Sequence, residues 1–466
     1  MSRGRTQRGR ERATRALLEA PSSRPLLQAV DHGPGVRVEA STVGAQGDRW
    51  IEPFLDANRT HLARLGVIPT VETRGGVAVR LTPGSRIGAV PILSPSTRRV
   101  AAGLLVAPRF RWSALGAVLG DTGFATEPSL GGTPLVPGSA REVPAWLLAA
   151  PVVRRLEALL RHKKRGFSER EEVRASPRGR VDWTRWVTRD VPAGRWTSLP
   201  CRFPDPTDDP TLMAAVRWTL TRLEEELAPF HDASAARRLR GRVADLSAQV
   251  GWGPARRPGR DLGREDAGWV GEAVQAMGWV ADERGLGGAR VLDGMSWDLA
   301  VDQVWEAWVD AFVAELAPRC GFTALRRGDT TRRLNWATPT SSMRMLMPDS
   351  GLRGEGRLIW VDAKYKAHLQ LLGHRGWAGL EPQTQDAHRA DLHQALAYAA
   401  RVEVERVDSV LAYPELSAGE RGRPAIATVA SGRRRVRLLL ISLPFGFATP
   451  AQREATVAEW RAALAA

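Results

Sequence analysis

The sequence predicts a mixed α/β chain built from several domains, and three observations carry that expectation. The length of 466 residues allows about three domains. Short apolar runs punctuated by Gly and Pro fill the first third, whereas apolar residues at helical spacing dominate the middle. From about residue 293 the pattern becomes helix, strands, helix, strand.

Residues 1–40 read as a basic flexible arm. Arg3, Arg5, Arg8, Arg10, Arg12 and Arg15 are followed by no apolar core, so a secretory signal is not expected. Residues 45–140 form a β-rich N-terminal domain, with strands at 77–81, 87–93 and 99–106, and are a candidate partner-docking region. Residues 141–292 are expected to be helical, with apolar periodicity at 144–161 and 210–227 and a basic loop at 162–167. Residues 293–445 form a further domain, with a mixed central sheet flanked by helices, and 446–466 a C-terminal helix. The longest apolar runs, 438–443 and 146–153, are far shorter than the ~20 residues of a membrane span.

Apolar residues make up 43% and charged residues 25%, an ordinary globular composition. Cys201 and Cys320 are the only cysteines; they form no disulfide framework and lack zinc-site spacing. Eight His form no Cys/His cluster along the sequence, so a zinc enzyme is not expected, and the chain reads as cytoplasmic and reduced. A net charge of +16 points to a polyanionic partner, most simply DNA.

Of the 67 basic residues only Lys163, Lys164, Lys364 and Lys366 are lysines. A chain that writes nearly every cation as Arg keeps Lys where the broad guanidinium fork does not serve. Two of the four lie in Val361-Asp362-Ala363-Lys364-Tyr365-Lys366.

Four pieces surround that hexapeptide. A helix over 297–317 carries the stripe Val301, Val304, Trp305, Trp308, Phe312 and Leu316, with Glu306 beside it. A strand at 343–347 ends in Pro348-Asp349, and after a Gly-containing turn at 350–356 a second strand at 357–361 runs into Asp362 and Lys364. Asp362 and Lys364 are two apart in an extended segment and share a face, and the hairpin brings Asp349 alongside. Finally, a helix from Asp391 places Gln394 and Tyr398 at i and i+4. Two carboxylates and an ammonium at one point suit divalent-metal phosphodiester cleavage. The carboxylates hold Mg²⁺ (or Mn²⁺), the Ala363 carbonyl offers a further oxygen, and Lys364 orients water or stabilises the transition state.

The order Glu306, Pro348-Asp349, Asp362-Ala363-Lys364, Gln394 resembles the PD-(D/E)xK nuclease superfamily. Asp362–Lys366 followed by Asp391-Leu392-His393-Gln394-Ala395-Leu396-Ala397-Tyr398 is similar, more narrowly, to McrC-type restriction endonuclease subunits. Arg178-Gly179-Arg180-Val181-Asp182-Trp183 and Leu199-Pro200-Cys201-Arg202-Phe203 resemble two upstream segments of those proteins. The resemblance spans about residues 85–445. It implies a PD-(D/E)xK restriction-endonuclease-like domain over 293–445, with Asp349, Asp362 and Lys364 as the metal and catalytic set, Glu306 as the helix carboxylate and Gln394 as the accessory glutamine. It also implies a restriction or antiphage defence role beside a McrB-type AAA+ NTPase. The long stretch 368–389, with its Gly and His residues, has no place in the motif.

No Gly-Lys dipeptide exists, so the chain holds no Walker A motif. No small-molecule cofactor is expected. Two other functions fit the same residues: an inactive DNA-binding or assembly module, and a stand-alone repair-type exonuclease. Lys366, with Arg433, Arg435 and Arg437 on alternating positions of a late strand, are candidate phosphate contacts.

Overall fold

The computed structural model describes residues 24–465 apart from 48, 75, 132–134, 164–165, 260–261, 263–267, 283–292, 326, 335–336, 338–342, 401–403, 405, 416–423 and 432–433. Most of the expected basic arm and Lys164 lie outside the described residues. Among the described residues, no helix is long and apolar enough to cross a membrane.

The N-terminal part is built on a five-stranded sheet, in the order Leu26–Val30, Val100–Ala107, Arg86–Leu93, Trp297–Ala300, Ser129–Leu130. The central strands at 86–93 and 100–107 are apolar on both faces and bury most of their side chains. Leu26–Val30 pairs in parallel with Val100–Ala107, so the expected arm gives way to a sheet strand well before residue 40. Val36–Glu39, Ala78–Thr82 and Ile68–Glu72 form a separate three-stranded sheet.

Helices Ala145–His162, Pro210–Leu227, Ser234–Val250 and Trp269–Ala281 pack on one another in the middle region. Asp209 caps the second, its carboxylate accepting from the Thr211 and Leu212 amides. Helices dominate the middle region as expected, but it also holds a sheet that the sequence reading did not place. Gly166–Arg174, Leu199–Thr207 and Arg180–Val181 form an antiparallel sheet. Its strands carry cross-strand ion pairs, Arg170 with Asp205 and Arg202 with Glu171, in place of the apolar alternation that advertises a strand.

A second correction concerns the boundary at 293. Trp297–Ala300 is a strand of the N-terminal sheet, paired with Arg86–Leu93. Its Asp298 is buried between Arg64 and Arg86. The helix expected from 297 begins at Val301, and we label it α1 (Val301–Arg319).

The C-terminal sheet has six strands: β1 (Thr323–Leu325), β2 (Ser350–Gly354), β3 (Arg357–Ala363), β4 (Arg406–Glu415), β5 (Ala425–Ser431) and β6 (Arg434–Pro444). Their order is β1-β2-β3-β4-β6-β5; β3, β4 and β6 run parallel, and the rest pair antiparallel. Helices α2 (His368–Arg375) and α3 (Pro382–Ala399) make the crossover from β3 to β4. Helix α4 (Pro450–Ala465) closes the chain. The expected apolar stripe of α1 is buried, and the indole N–H groups of Trp305 and Trp308 donate to the carbonyls of Ala412 and Pro444 at 3.3 and 2.9 Å.

The hairpin differs from the expected one. Ser350–Gly354, expected to be turn, is the strand that pairs with Arg357–Ala363, and the connection is only Glu355-Gly356, with Gly356 at φ 64°. Gly351 and Gly354 serve packing instead. A Cβ would lie 3.1 Å from the Trp360 ring at Gly351 and 2.5 Å from the Phe322 ring at Gly354. Of the expected strand 343–347 only Met345–Leu346 is extended, and it pairs with Arg332–Arg333 in a separate ribbon.

Candidate active site

Ser350 pairs with Val361, which sets Asp349 just ahead of β2 and beside the end of β3. The Ala363 N–H donates to Asp349 Oδ2 at 2.8 Å. An extended residue sends its carbonyl out of the same strand edge as its N–H, so the Ala363 carbonyl also leaves on the Asp349 side. The Lys364 N–H donates to the Ala412 carbonyl at 2.8 Å and prolongs the ladder to β4. Asp362 and Lys364 therefore share a face, as expected, with Lys364 Nζ 2.5 Å from Asp362 Oδ2. The three residues meet at the C-terminal ends of parallel strands, where α/β sheets place their ligands.

Burial dominates the electrostatics. It pushes the Asp349 carboxyl up to about 7, helped by the charges of Asp362 and then Glu306 and opposed by the Ala363 N–H and Lys364. Glu306, on α1, therefore acts on the site through its charge. Burial also raises the Asp362 carboxyl above its ordinary value, against the pull of Lys364. Asp362 Oδ2 is buried without a hydrogen bond, although the ammonium stands close by. Crowded carboxylate oxygens with a single nearby ammonium suit a hard divalent cation, which takes oxygen ligands. Asp349, Asp362 and the Ala363 carbonyl would hold it, with Glu306 alongside.

Helix α3 turns a polar stripe toward the sheet. His388, Asp391, Ala395, Tyr398 and Ala399 are its buried residues, the first four spaced by three or four, and exposed Gln394 lies beside them. Gln394 Oε1 accepts from Lys364 Nζ at 2.8 Å, and Gln394 Nε2 donates to the Tyr398 hydroxyl at 2.6 Å. Burial, and then Asp362, raise the Tyr398 hydroxyl above its ordinary value. The motif helix thus meets the end of β3 despite the long stretch between them.

Three site neighbours escaped the sequence reading. Asp391 accepts from Lys366 Nζ at 2.7 and 3.0 Å and lies 3.3 Å from His368 Nδ1. Burial alone would raise its carboxyl, but His368 and Lys366 outweigh burial and hold it below the ordinary carboxylate range. His368 and His388 are the other two. The only signal for Asp391 was its place three residues before Gln394; the histidines sat in the stretch with no motif.

The candidate phosphate contacts do not act as a set. Lys366 spends its charge on Asp391. Arg433 lies outside the described residues, and Arg435 is exposed. Arg437 is buried, 3.8 Å from Asp408, and donates to the Ala463 carbonyl at 2.9 Å. The C-terminal helix covers this face of β6, so Arg437 braces the fold and does not reach a phosphate backbone.

No family model and no curated protein matches this chain. Solved McrBC assemblies do. A chain in the half-complex from the tetradecameric assembly of Thermococcus gammatolerans McrB AAA+ hexamers with bound McrC is similar over 94% of this chain and 99% of its own length, at 15% identity and a TM-score of 0.41. A chain in the cryo-EM structure of the Thermococcus gammatolerans McrBC complex is similar over 62% of this chain and 88% of its own length, at 12% identity and a TM-score of 0.23.

Proposed function

We propose that this chain is a Mg²⁺- or Mn²⁺-dependent DNA endonuclease subunit of a McrBC-like restriction system, of the PD-(D/E)xK type, working with a McrB-type AAA+ NTPase. The observation that carries the proposal is the convergence of Asp349, Asp362 and Lys364 at the end of one hairpin, with Gln394 on the Lys364 ammonium. A bound metal would supply an activated water and neutralise charge on the phosphate. Lys364, steered by Asp362 and Gln394, would present a donor where negative charge develops in the transition state. Asp349, fixed by the Ala363 amide, would keep its free oxygen toward the cation. The lack of a Walker A motif in this sequence fits a motor carried by a partner chain. The net charge of +16 supports a polyanionic substrate.

The test is cleavage of a circular plasmid with Mg²⁺, comparing wild type with Lys364→Ala, each with and without a McrB-type ATPase. Cutting by the wild type alone supports the proposal, and dependence on the ATPase establishes the partnership. DNA binding without cutting under every condition would favour the inactive-module function. Cutting confined to linear DNA would favour the repair-type exonuclease.

A further inference from the structure

A second cluster stands beside the catalytic carboxylates. His368 opens α2, and His388 and Asp391 sit at i and i+3 on one face of α3. Each offers one ligand atom, and these atoms all lie within 4.8 Å of one another. All three side chains are buried. His368 Nδ1 has no hydrogen bond and lies 3.3 Å from Asp391 Oδ2. That separation is about the ligand-to-ligand edge of a tetrahedron with bonds of ~2.0 Å, the geometry zinc takes with nitrogen and oxygen ligands. His388 Nδ1 lies 3.3 Å from the buried Tyr413 hydroxyl, the kind of outer contact that orients a metal-bound imidazole.

The geometry points to a transition-metal site formed by His368, His388 and Asp391, which binds Zn²⁺ and is separate from the oxygen-lined catalytic site. Imidazole nitrogens favour zinc-class ions over Mg²⁺, whereas Mg²⁺ takes oxygen donors, so the two sites differ in the metal they suit. Asp391 serves both Lys366 and the metal, because a carboxylate has about four lone-pair positions. The Lys366 side chain is 38% exposed, and Asp391 Oδ1, which it meets at 2.7 Å, would keep it while Oδ2 takes the metal. The site gives the stretch between the catalytic lysine and Gln394 a purpose. Cross-linking α2 to α3 fixes the helix from which Gln394 reaches Lys364. A search by sequence spacing misses the cluster because His368 and His388 belong to different helices.

The inference does not depend on nuclease activity, and its test reads metal directly. Full-length protein is stripped with chelator and given Zn²⁺ in the presence of excess Mg²⁺. Bound zinc is then measured by elemental analysis and melting temperature, and Co²⁺ absorption reports the ligand field. Wild type and Asp349→Asn are expected to bind zinc stoichiometrically, to melt higher with it, and to give visible cobalt bands. His368→Asn and His388→Gln, conservative enough to preserve packing and checked for native circular dichroism in chelator, are expected to lose more than about 100-fold in zinc affinity, beyond the 10–100-fold typical of a lost outer-shell partner. Absence of zinc binding by wild type would overturn the site. So would zinc binding that survives in both histidine variants, or that Asn at position 349 abolishes.

Discussion

The Lys364 ammonium donates to Gln394 Oε1 at 2.8 Å, joining the end of β3 to a helix 30 residues further along the chain. Asp362 holds the same ammonium from the other side at 2.5 Å. The lysine is thus aimed by two partners. Lys364→Ala and Asp362→Ala are expected to abolish plasmid cleavage while leaving DNA affinity in a gel-shift assay largely intact, since affinity rests on phosphate contacts elsewhere. Lys364→Arg is expected to be inactive as well, because a planar fork does not fit a site shaped for a compact ammonium.

Gln394→Ala should be milder. It removes one hydrogen bond to a charged group, worth about 1.5–3 kcal/mol, so single-turnover cleavage should slow by about 10–100-fold. An unchanged rate would show that Asp362 alone aims the lysine.

The raised Asp349 carboxyl makes the metal-free protein sensitive to pH. Its folded value of about 7 exceeds the ordinary 3.8, so the native state holds a proton that the unfolded chain releases. Stability from this group is full below about 4 and declines as pH rises toward 7, because folding then confines a charged, buried carboxylate. Asp362 shifts in the same direction. The melting temperature in chelator should fall between pH 5 and 8, by an amount that Asp349→Asn reduces. Mg²⁺ should restore it, and more strongly at pH 8 than at pH 5.

Asp408 is wholly buried. Arg357 Nε donates to it at 2.9 Å, and Arg437 lies beside it. Asp408→Ala leaves guanidinium groups without their counter-charge and should cost about 3–5 kcal/mol in denaturant unfolding. Arg437→Ala should destabilise the fold while leaving the salt dependence of DNA binding unchanged. A reduced slope would restore Arg437 as a phosphate contact.

The residue after Lys364 anchors the candidate site to the N-terminal sheet. The Tyr365 hydroxyl donates to Asp31 Oδ2 at 2.7 Å, Asp31 Oδ1 accepts from the Arg109 amide at 2.6 Å, and the Arg109 guanidinium stacks over the Tyr365 ring at 4.3 Å. Tyr365→Phe leaves a buried carboxylate oxygen short of a donor. It should lower unfolding stability by about 1–3 kcal/mol, and should slow cleavage without changing Mg²⁺ affinity.

Local patterns were legible in the sequence, and long-range contacts were not. The strands at 86–93 and 100–107, the helices at 145–162 and 210–227 and the stripe of α1 announce themselves through apolar period and Gly/Pro punctuation. The convergence of Asp349, Asp362 and Lys364 was legible because a hairpin end is a short-range device. The hairpin's register was not, since Gly351 and Gly354 look like turn residues while actually making room for Trp360 and Phe322. Nor was Trp297–Ala300, whose strand partner is more than 200 residues earlier. Arg437 misled for the same reason: alternation in β6 says nothing of a helix from the chain's end lying across it.

That strand has a mechanical consequence. Trp297–Ala300 passes directly into α1 with no loop between them, and Val301 still donates to the Ser85 carbonyl at 3.0 Å. The two halves of the molecule therefore share a stiff axle instead of a swivel. A torque applied to the N-terminal sheet arrives at Glu306, one turn into that helix, with no slack to absorb it.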